Sequence, residues 1–332
     1  GVEQELLDAI KLIHDGGAFA HPAGDDLIYH GDMDLWSKFA HTLLLKIYLR
    51  QGDAGKAKAV ALYNGDTSNF TEDDKFILTN DEAAAIVYPG GASGSNPFWN
   101  AAKSTSLGNF YVATTTVIEY LMATGDPRID AFFDRTGGQH VGLYPGDIQN
   151  SPNGKNYSTP AGARIATGGL IFSPTAPVFM ISAWESNLLL AEAGVRDWVS
   201  SANVGANYDA GVQASFEYLG LTTAEADAYL AGGGALDSTS FDTRIKSIAL
   251  QKWTCMNGLQ PVESWIETRR LDNPAHPIFA TTGGIFKSPT RNALGVGVFP
   301  SILPYPEIEE SLNQSFPGQH QLTDKVFWDR NN

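Results

Sequence analysis

The sequence has little of what defines several large classes of protein. Its 332 residues include one cysteine, Cys255, so no disulfide can form within the chain. It has no unbroken apolar run of about eighteen residues, the length that spans a bilayer, so we expect no membrane-spanning helix. Basic residues are scarce: 22 Lys and Arg stand against 37 Asp and Glu, giving a formal net charge of -15. This balance disfavours nucleic acids and polyanions, because their binding depends on neutralising their charge, and it favours a neutral ligand.

Familiar catalytic and metal-binding motifs are also missing. The seven histidines are scattered, with no HExxH pattern and no Cys/His clustering of the kind that binds zinc. No P-loop, GxSxG or dinucleotide-binding fingerprint follows a strand-like segment. We therefore expect no metal site and no cofactor. The single thiol of Cys255 lies in an apolar helical segment, where a small buried side chain is a better interpretation than a nucleophile.

The most informative stretch is Arg244–Arg270. Its apolar residues recur at helical spacing up to Trp253, and Gly258 suits the left-handed turn that ends a helix. Pro261 then suits the first turn of a second helix, which carries Trp265. This pattern predicts a helix hairpin with two buried tryptophans.

Similar pairs recur along the chain. We predict helical hairpins at about 3–64, 179–219 and 242–271. Asp34 should cap the helix that ends at Arg50, and Asp242 or Thr243 should cap the helix that begins near Arg244. A loop-rich insertion covers about 88–178. The hairpins show no clean repeat of about 34 residues, so a regular tetratricopeptide array is not supported. At 332 residues the chain could form one large domain or two. The sequence predicts a mainly α fold built of tetratricopeptide-like hairpins with long irregular loop insertions.

The insertions carry the candidate binding residues. Segments 88–111 and 134–178 are rich in Gly, Pro, Asn and Ser and contain aromatics, and segment 273–299 is similar but less aromatic. Loops of this length inside a compact domain are usually functional or disordered. A sugar site needs flat rings for stacking and nearby polar groups for its hydroxyls. The candidate ligand-binding residues are Trp99, Phe98, Asn100, Tyr144, Tyr157 and Asn156. Trp99 is the first choice, and the alternative is that these rings pin the loops to the body of the domain.

Charged residues offer a competing location for a site. Arg269 and Arg270 follow Glu263 and Glu267 at helical spacing, which favours a structural network of ion pairs. Arg128 follows a helix directly, and a structural ion pair is favoured there over a clamp for a carboxylate ligand.

A pair of glutamates permits an enzymatic alternative. Glu185 and Glu192 are seven residues apart and share a helix face, so they could act as the acid and base of a glycosidase. No partner motif accompanies them, and we treat catalysis there as the minor alternative.

Five motifs in order resemble the SusD/RagB family of outer-membrane nutrient-binding lipoproteins from glycan-using Bacteroidota-type bacteria. They are GDMDLWSKFA at 31–40, DPR at 126–128, AEA at 191–193, PVESWIETRR at 261–270, and the tail Tyr305-Pro306 with Glu309 and Asn313. The resemblance runs along almost the whole chain and implies a single SusD-like domain over 1–332. One departure is Leu271-Asp272-Asn273-Pro274, where the family tends to have Thr-Gly-x-Pro after its paired arginines, so this turn should differ.

The resemblance implies a function. Such a protein binds an oligosaccharide or other small nutrient at the cell surface without catalysis and delivers it to a SusC-like TonB-dependent outer-membrane transporter. It would be surface-exposed on the outer membrane and held there by an N-terminal lipid anchor, with no other membrane contact and no nucleic acid partner. Neither a signal peptide nor a lipid-acceptor cysteine is present, so we expect the sequence to lack an N-terminal portion. The alternatives are an α-helical glycoside hydrolase and a tetratricopeptide-type scaffold that binds peptides or proteins.

Overall fold

The computed structural model describes residues 1–16, 24–65, 74–91, 94–103, 111–147, 156–160, 173–327 and 329. Within these ranges the chain forms twelve α-helices and two short strands. The helices are α1 Val2–His14, α2 Met33–Arg50, α3 Lys56–Asn64, α4 Pro97–Lys103, α5 Thr115–Ala123, α6 Ile129–Phe132, α7 Ala183–Val195, α8 Val204–Tyr218, α9 Thr223–Leu230, α10 Phe241–Cys255, α11 Pro261–Leu271 and α12 Glu307–Leu312. The strands β1 Ala84–Ile86 and β2 Val178–Ile181 pair antiparallel.

Helix hairpins form the body of the molecule. Helix α2 packs on α1 and α3, α7 on α8, and α10 on α11. Helix α7 also contacts α2 and α10, and every residue from Ala183 to Val195 is buried. A helix buried on all sides lies at the centre of a core rather than on its surface. The predicted mainly α fold with tetratricopeptide-like hairpins is confirmed, whereas the extent of the domain stays a prediction.

The α7–α8 hairpin depends on a glycine and a tryptophan. A Cβ atom on Gly211 would lie 2.8 Å from Cγ of Leu188, so this position of α8 needs glycine for the two helices to approach as they do. The Trp184 ring is fully buried against Phe179 and Tyr218, with ring centroids 4.9 and 5.1 Å away. Edge contacts of this kind add to the hydrophobic gain of burying the rings.

Two helix starts differ from the predicted caps. Helix α2 is capped by Asp32, whose carboxylate accepts the Leu35 N–H, and not by Asp34, which lies inside the helix. Helix α10 is capped by Ser240, whose hydroxyl accepts the Thr243 N–H, and not by Asp242 or Thr243. The helices begin earlier than predicted because these upstream side chains satisfy the first free N–H groups.

The loop-rich insertion is more regular than its composition suggests. It contains α4, α5 and α6, so Trp99 lies on a short helix and not on a loop as predicted. The two predicted buried tryptophans of the α10–α11 hairpin, Trp253 and Trp265, are half-buried. Among the described helices, none is long and apolar enough to cross a membrane.

Candidate functional site

Three of the predicted binding residues lie together on α4. Asn96 caps this helix, because its side-chain oxygen accepts the N–H groups of Phe98 (2.8 Å) and Trp99 (3.2 Å), and Pro97 supplies the first turn. The amide of Asn96 also donates to the Ala176 carbonyl at 2.9 Å. The buried Asn96 therefore fixes α4 to the segment that leads into β2. Phe98 and Trp99 are half-buried and Asn100 is exposed.

The other three predicted residues lie on a platform of paired segments, 111–115, 141–144 and 156–160, which we call the loop platform. Backbone hydrogen bonds join these segments: the Ala113 N–H donates to the Ser158 carbonyl, the Ser158 N–H to the Val141 carbonyl, and the Leu143 N–H to the Ala113 carbonyl, each at 2.8 Å. Segments without a regular sheet thus still satisfy their backbone groups. Tyr144, Tyr157 and Asn156 lie at the edges of this platform; Tyr144 is 39% exposed.

Phe98 connects the two groups. Its ring meets the ring of Tyr111, the first residue of the loop platform, edge to face at a centroid distance of 5.1 Å. Tyr111 is itself 37% exposed. The structure therefore places the six predicted residues in two groups of three, linked by an aromatic pair that includes a residue the sequence did not single out.

The Tyr144 end of the platform is fixed to a distant segment. The Thr290 N–H donates to the Pro145 carbonyl at 3.0 Å, and the Thr290 hydroxyl donates to the Gly146 carbonyl at 2.5 Å. Gly146 has φ +75° and lies against the backbone of Thr290 and Arg291, so a larger residue would be strained and crowded here. This contact brings the first insertion against segment 273–299.

A pocket of about 390 Å³ opens between the loop platform and the α10–α11 hairpin; we call it the central pocket. The loop platform contributes Val112–Thr114 on one side. Four aromatic rings line it, namely Phe133, Trp253, Phe286 and Phe299. Its volume is in the range of about 300–1,000 Å³ that is typical of small-molecule sites.

The polar groups of the central pocket are mostly uncharged. Thr114, Thr116 and Asn257 line it, and Lys287 is the single ionisable residue among the described residues of its wall. The Lys287 ammonium pairs with Glu119 at 2.7 Å. The hydrogen bond to Glu119 raises the pKa of Lys287, and the neighbouring Tyr144 acts in the same direction. Rings beside hydroxyl and amide groups suit a ligand with apolar faces and many hydroxyls.

The rings of this pocket were not among the candidates from the sequence. The helical spacing places Trp253 in the hairpin core, and Phe286 and Phe299 belong to the less aromatic segment 273–299. Their signal in the sequence is weak, because the three residues come from two segments that only the tertiary fold brings together.

The charged residues of the hairpins form a separate, buried cluster. Glu267 pairs with Arg270 at 2.6 Å and with Lys252 at 2.5 Å, and Glu263 pairs with Lys46 and Arg50, each at 2.6 Å. Buried charges are tolerated when they are paired in this way. The predicted structural network is therefore present, and it reaches α2 as well as α10 and α11.

The two glutamates weighed as a catalytic pair belong to the same cluster. Glu185 is 1% exposed and pairs with Lys46 at 2.6 Å. Glu192 is fully buried, and although burial acts to raise its pKa, Arg270 and Arg196 hold that pKa at about 2. A general acid needs a raised pKa near the working pH, so Glu192 has the wrong properties for that role.

Arg128 and Cys255 are structural as well. The Arg128 guanidinium is fully buried and donates to Asp126 at 2.6 Å and to Gln251 at 2.7 Å. It also donates to the Cys255 sulfur at 3.2 Å. Burial raises the pKa of the Cys255 thiol, which disfavours the reactive thiolate.

Comparison with known families identifies the fold. Residues 3–305 match a SusD-like family model described as "Starch-binding associating with outer membrane". The chain belongs to the SusD-like family. A search of curated protein sequences returns no match to this chain.

Solved SusD-like structures share the fold over the whole chain. A SusD homologue from Bacteroides uniformis superposes with a TM-score of 0.74 at 23% identity, covering 99% of this chain and 72% of the other. A chitin-binding SusD homologue from Flavobacterium johnsoniae gives a TM-score of 0.75 at 19% identity, covering 100% and 71%. A homologue from Bacteroides thetaiotaomicron gives 0.72 at 21% identity, covering 99% and 73%. At these identities the likeness concerns the fold.

Proposed function

We propose that this SusD-like protein is a non-catalytic glycan-binding protein, which captures an oligosaccharide at the cell surface and delivers it to a SusC-like TonB-dependent outer-membrane transporter. The observation that carries the proposal is the central pocket beside the loop platform, where aromatic rings stand next to uncharged polar side chains. A family described as starch-binding and a relative described as chitin-binding support a glycan as the ligand class.

The six residues predicted from the sequence form the outer part of the proposed site. Tyr144 lies next to Pro145, which lines the central pocket, and its exposure leaves part of its ring available for stacking. Trp99 and Asn100 are consecutive on α4, with a half-buried ring and an exposed amide that donates to the Ser95 carbonyl at 3.2 Å. We assign ligand contacts to Trp99, Phe98, Asn100, Tyr144, Tyr157 and Asn156 on this basis.

The proposal excludes hydrolysis. Glu185 and Glu192 are both buried and paired with cations, which leaves neither carboxylate placed to reach a glycosidic bond. Incubation with neutral glycans should release no new reducing ends. Turnover that is lost in Glu185→Gln or Glu192→Gln would establish a glycosidase instead.

Binding is tested by calorimetric titration with neutral plant, host and microbial polysaccharides, and with a peptide library in parallel. The expected result is saturable binding of at least one neutral glycan that Trp99→Ala and Tyr144→Ala weaken. If both variants bind as the wild type does while changes on the helix faces abolish binding, the protein is a tetratricopeptide-type scaffold.

Membership in a family that associates with the outer membrane supports the transporter partner and the location. We infer surface exposure and a lipid anchor in the cellular protein. Co-purification of the tagged protein with a TonB-dependent transporter from detergent-solubilised membranes tests the partner. If the tagged protein is absent from the outer-membrane fraction, the proposed location is wrong.

A further inference from the structure

The central pocket has a neighbour on each side. One, which we call the hairpin pocket, has a volume of about 230 Å³ and lies between α10 and α11, with Trp265 in its wall. The other, the C-terminal pocket, has a volume of about 330 Å³ and is lined by Thr282, Ser301 and Lys325. The hairpin pocket shares Trp253, Asn257 and Phe286 with the central pocket, and the C-terminal pocket shares Phe299 with it.

The walls that the pockets share contain a row of neighbouring aromatic rings. The rings of Trp253 and Phe286 are 6.0 Å apart between centroids, and those of Phe286 and Phe299 are 5.7 Å apart. All three rings are half-buried, so each packs on the body of the protein while keeping part of its surface open. Neighbouring pockets thus share aromatic walls, and we call the three pockets together the groove.

We propose that this groove binds a linear, uncharged oligosaccharide whose successive units occupy the hairpin, central and C-terminal pockets. The proposal rests on the glycan-binding function above and deepens it, because it commits the ligand to an extended chain and places much of its contact away from α4. Repeated rings along a groove suit a polymer with repeated apolar faces. Single-strand-binding proteins hold nucleic acid in a comparable way, by stacking successive bases on aromatic side chains.

The polarity of the groove agrees with an uncharged ligand. Among the described residues that line the hairpin pocket none is ionisable, and its polar side chains are Asn257, Ser264 and Thr268, whose hydroxyl donates to the Trp265 carbonyl at 2.8 Å. Uncharged amide and hydroxyl groups suit a hydroxyl-rich ligand, which supplies both donors and acceptors.

The C-terminal pocket contains charges, but they are offset. Burial lowers the pKa of the Arg269 guanidinium, while Asp329 and Asp272 act in the opposite direction. Asp272 in turn accepts the N–H groups of Ile278 (2.6 Å) and Phe279 (3.2 Å). Lys325 is a second cation in this wall, so Arg269 and Lys325 stand against the carboxylates of Asp272 and Asp329, and the formal charges at this end of the groove balance.

The test is calorimetric titration of the full chain with malto-, cello- and chito-oligosaccharides, each from the monosaccharide to the hexasaccharide. For the glycan that binds, the affinity should rise with chain length until the three pockets are filled and then level off. In Phe299→Ala the affinity for the hexasaccharide should fall about tenfold, whereas that for the disaccharide should change much less.

A second variant separates a loss of binding from a loss of folding. Thr282 is exposed and lines the C-terminal pocket, so Thr282→Trp should block that pocket without disturbing the core. It should shorten the chain length at which the affinity levels off. Phe241→Ala is the matched control, because its ring is 48% exposed on the first turn of α10 and lines none of the three pockets.

The outcomes separate the groove from the wider function. If a glycan binds but its affinity is independent of length, or Phe299→Ala and Thr282→Trp bind as Phe241→Ala does, the groove is not the site and the glycan-binding function stands. If no oligosaccharide of any length binds to the wild type, both the function and the groove are wrong.

Discussion

The buried interior of the α2–α7–α10–α11 scaffold and the loop-rich face of this SusD-like protein differ in how they use polar groups. The loop-rich face comprises α4, the loop platform and the walls of the three pockets, including the α10 and α11 side chains that line them. In the scaffold, ionisable side chains such as Glu192, Glu267 and Arg270 are buried and paired with one another. On the loop-rich face, half-buried rings stand beside threonine and asparagine side chains that border open pockets. Paired charges stabilise a fixed arrangement, whereas rings and uncharged polar groups at a pocket leave surface for a ligand.

The difference shows that the residues most conspicuous in the sequence have a structural role. The segment Glu263–Arg270 has the highest density of charge and attracts an active-site interpretation, yet its carboxylates are occupied by Lys46, Arg50, Lys252 and Arg270. The proposed site lies where the sequence looks irregular.

The largest expected effect is the loss of a shared anion from the scaffold. Glu267→Gln leaves Arg270 and Lys252 buried without their common carboxylate, so the free energy of unfolding should fall by about 3–5 kcal/mol in urea denaturation. Glu263→Gln is the matched control on the same helix; its side chain is 28% exposed, and the loss should be smaller, about 1–2 kcal/mol. Equal losses in the two variants would break the distinction between buried and partly exposed members of the cluster.

The scaffold should also respond to acid. The pKa of Glu192 is lowered from 4.5 to about 2, so the charged form is favoured in the folded state. Its contribution is present above the unfolded pKa and is lost as the pH falls through the folded value, a decrease of roughly 3 kcal/mol between pH 4.5 and about 2. Urea denaturation at a series of pH values should show this slope in the wild type and a shallower one in Glu192→Gln. The same slope in both would contradict the assignment.

On the loop-rich face the effect should appear in binding. Trp99→Ala and Tyr144→Ala should each lower the affinity for a neutral glycan about tenfold by calorimetry. Tyr144 is 39% exposed, so its replacement should leave the thermal unfolding curve almost unchanged. Phe241→Ala, an exposed ring on the scaffold, serves as the control and should bind as the wild type does. A loss of affinity in that control would mean that the face has been wrongly delimited.

The smallest effect concerns Cys255. The thiol is fully buried and beside Arg128, so a chromogenic thiol reagent should not react with the native protein and should react once per chain in denaturant. Rapid reaction under native conditions would show an accessible thiol and an opening in the scaffold.

Much of the scaffold follows from local sequence. The spacing in Arg244–Arg270, with Gly258 and Pro261 between the helices, predicts the α10–α11 hairpin because turn chemistry and apolar periodicity agree there. The α4 helix was missed although Asn96-Pro97 is a standard helix start, since the surrounding Gly and Ser favour a loop.

Contacts between residues that are far apart in the sequence are harder to predict from local patterns. Arg50 meets Glu263 across 213 positions of sequence, and no local spacing predicts that pair. The groove is similar, because Trp253 and Phe299 come from a helix and a loop that share a pocket wall only after folding. The fold was therefore predictable from motifs and periodicity, whereas the central pocket required the tertiary structure.

The central claim is that the loop-rich face binds an uncharged glycan while the buried interior of the scaffold only supports it. Calorimetric titration of one neutral glycan into Trp99→Ala/Tyr144→Ala and into folded Glu263→Gln tests this claim most directly. We predict an affinity about a hundredfold lower for the double variant, since two separate tenfold losses add in free energy, and wild-type affinity for Glu263→Gln. Wild-type affinity in the double variant, or a loss confined to Glu263→Gln, would contradict the account.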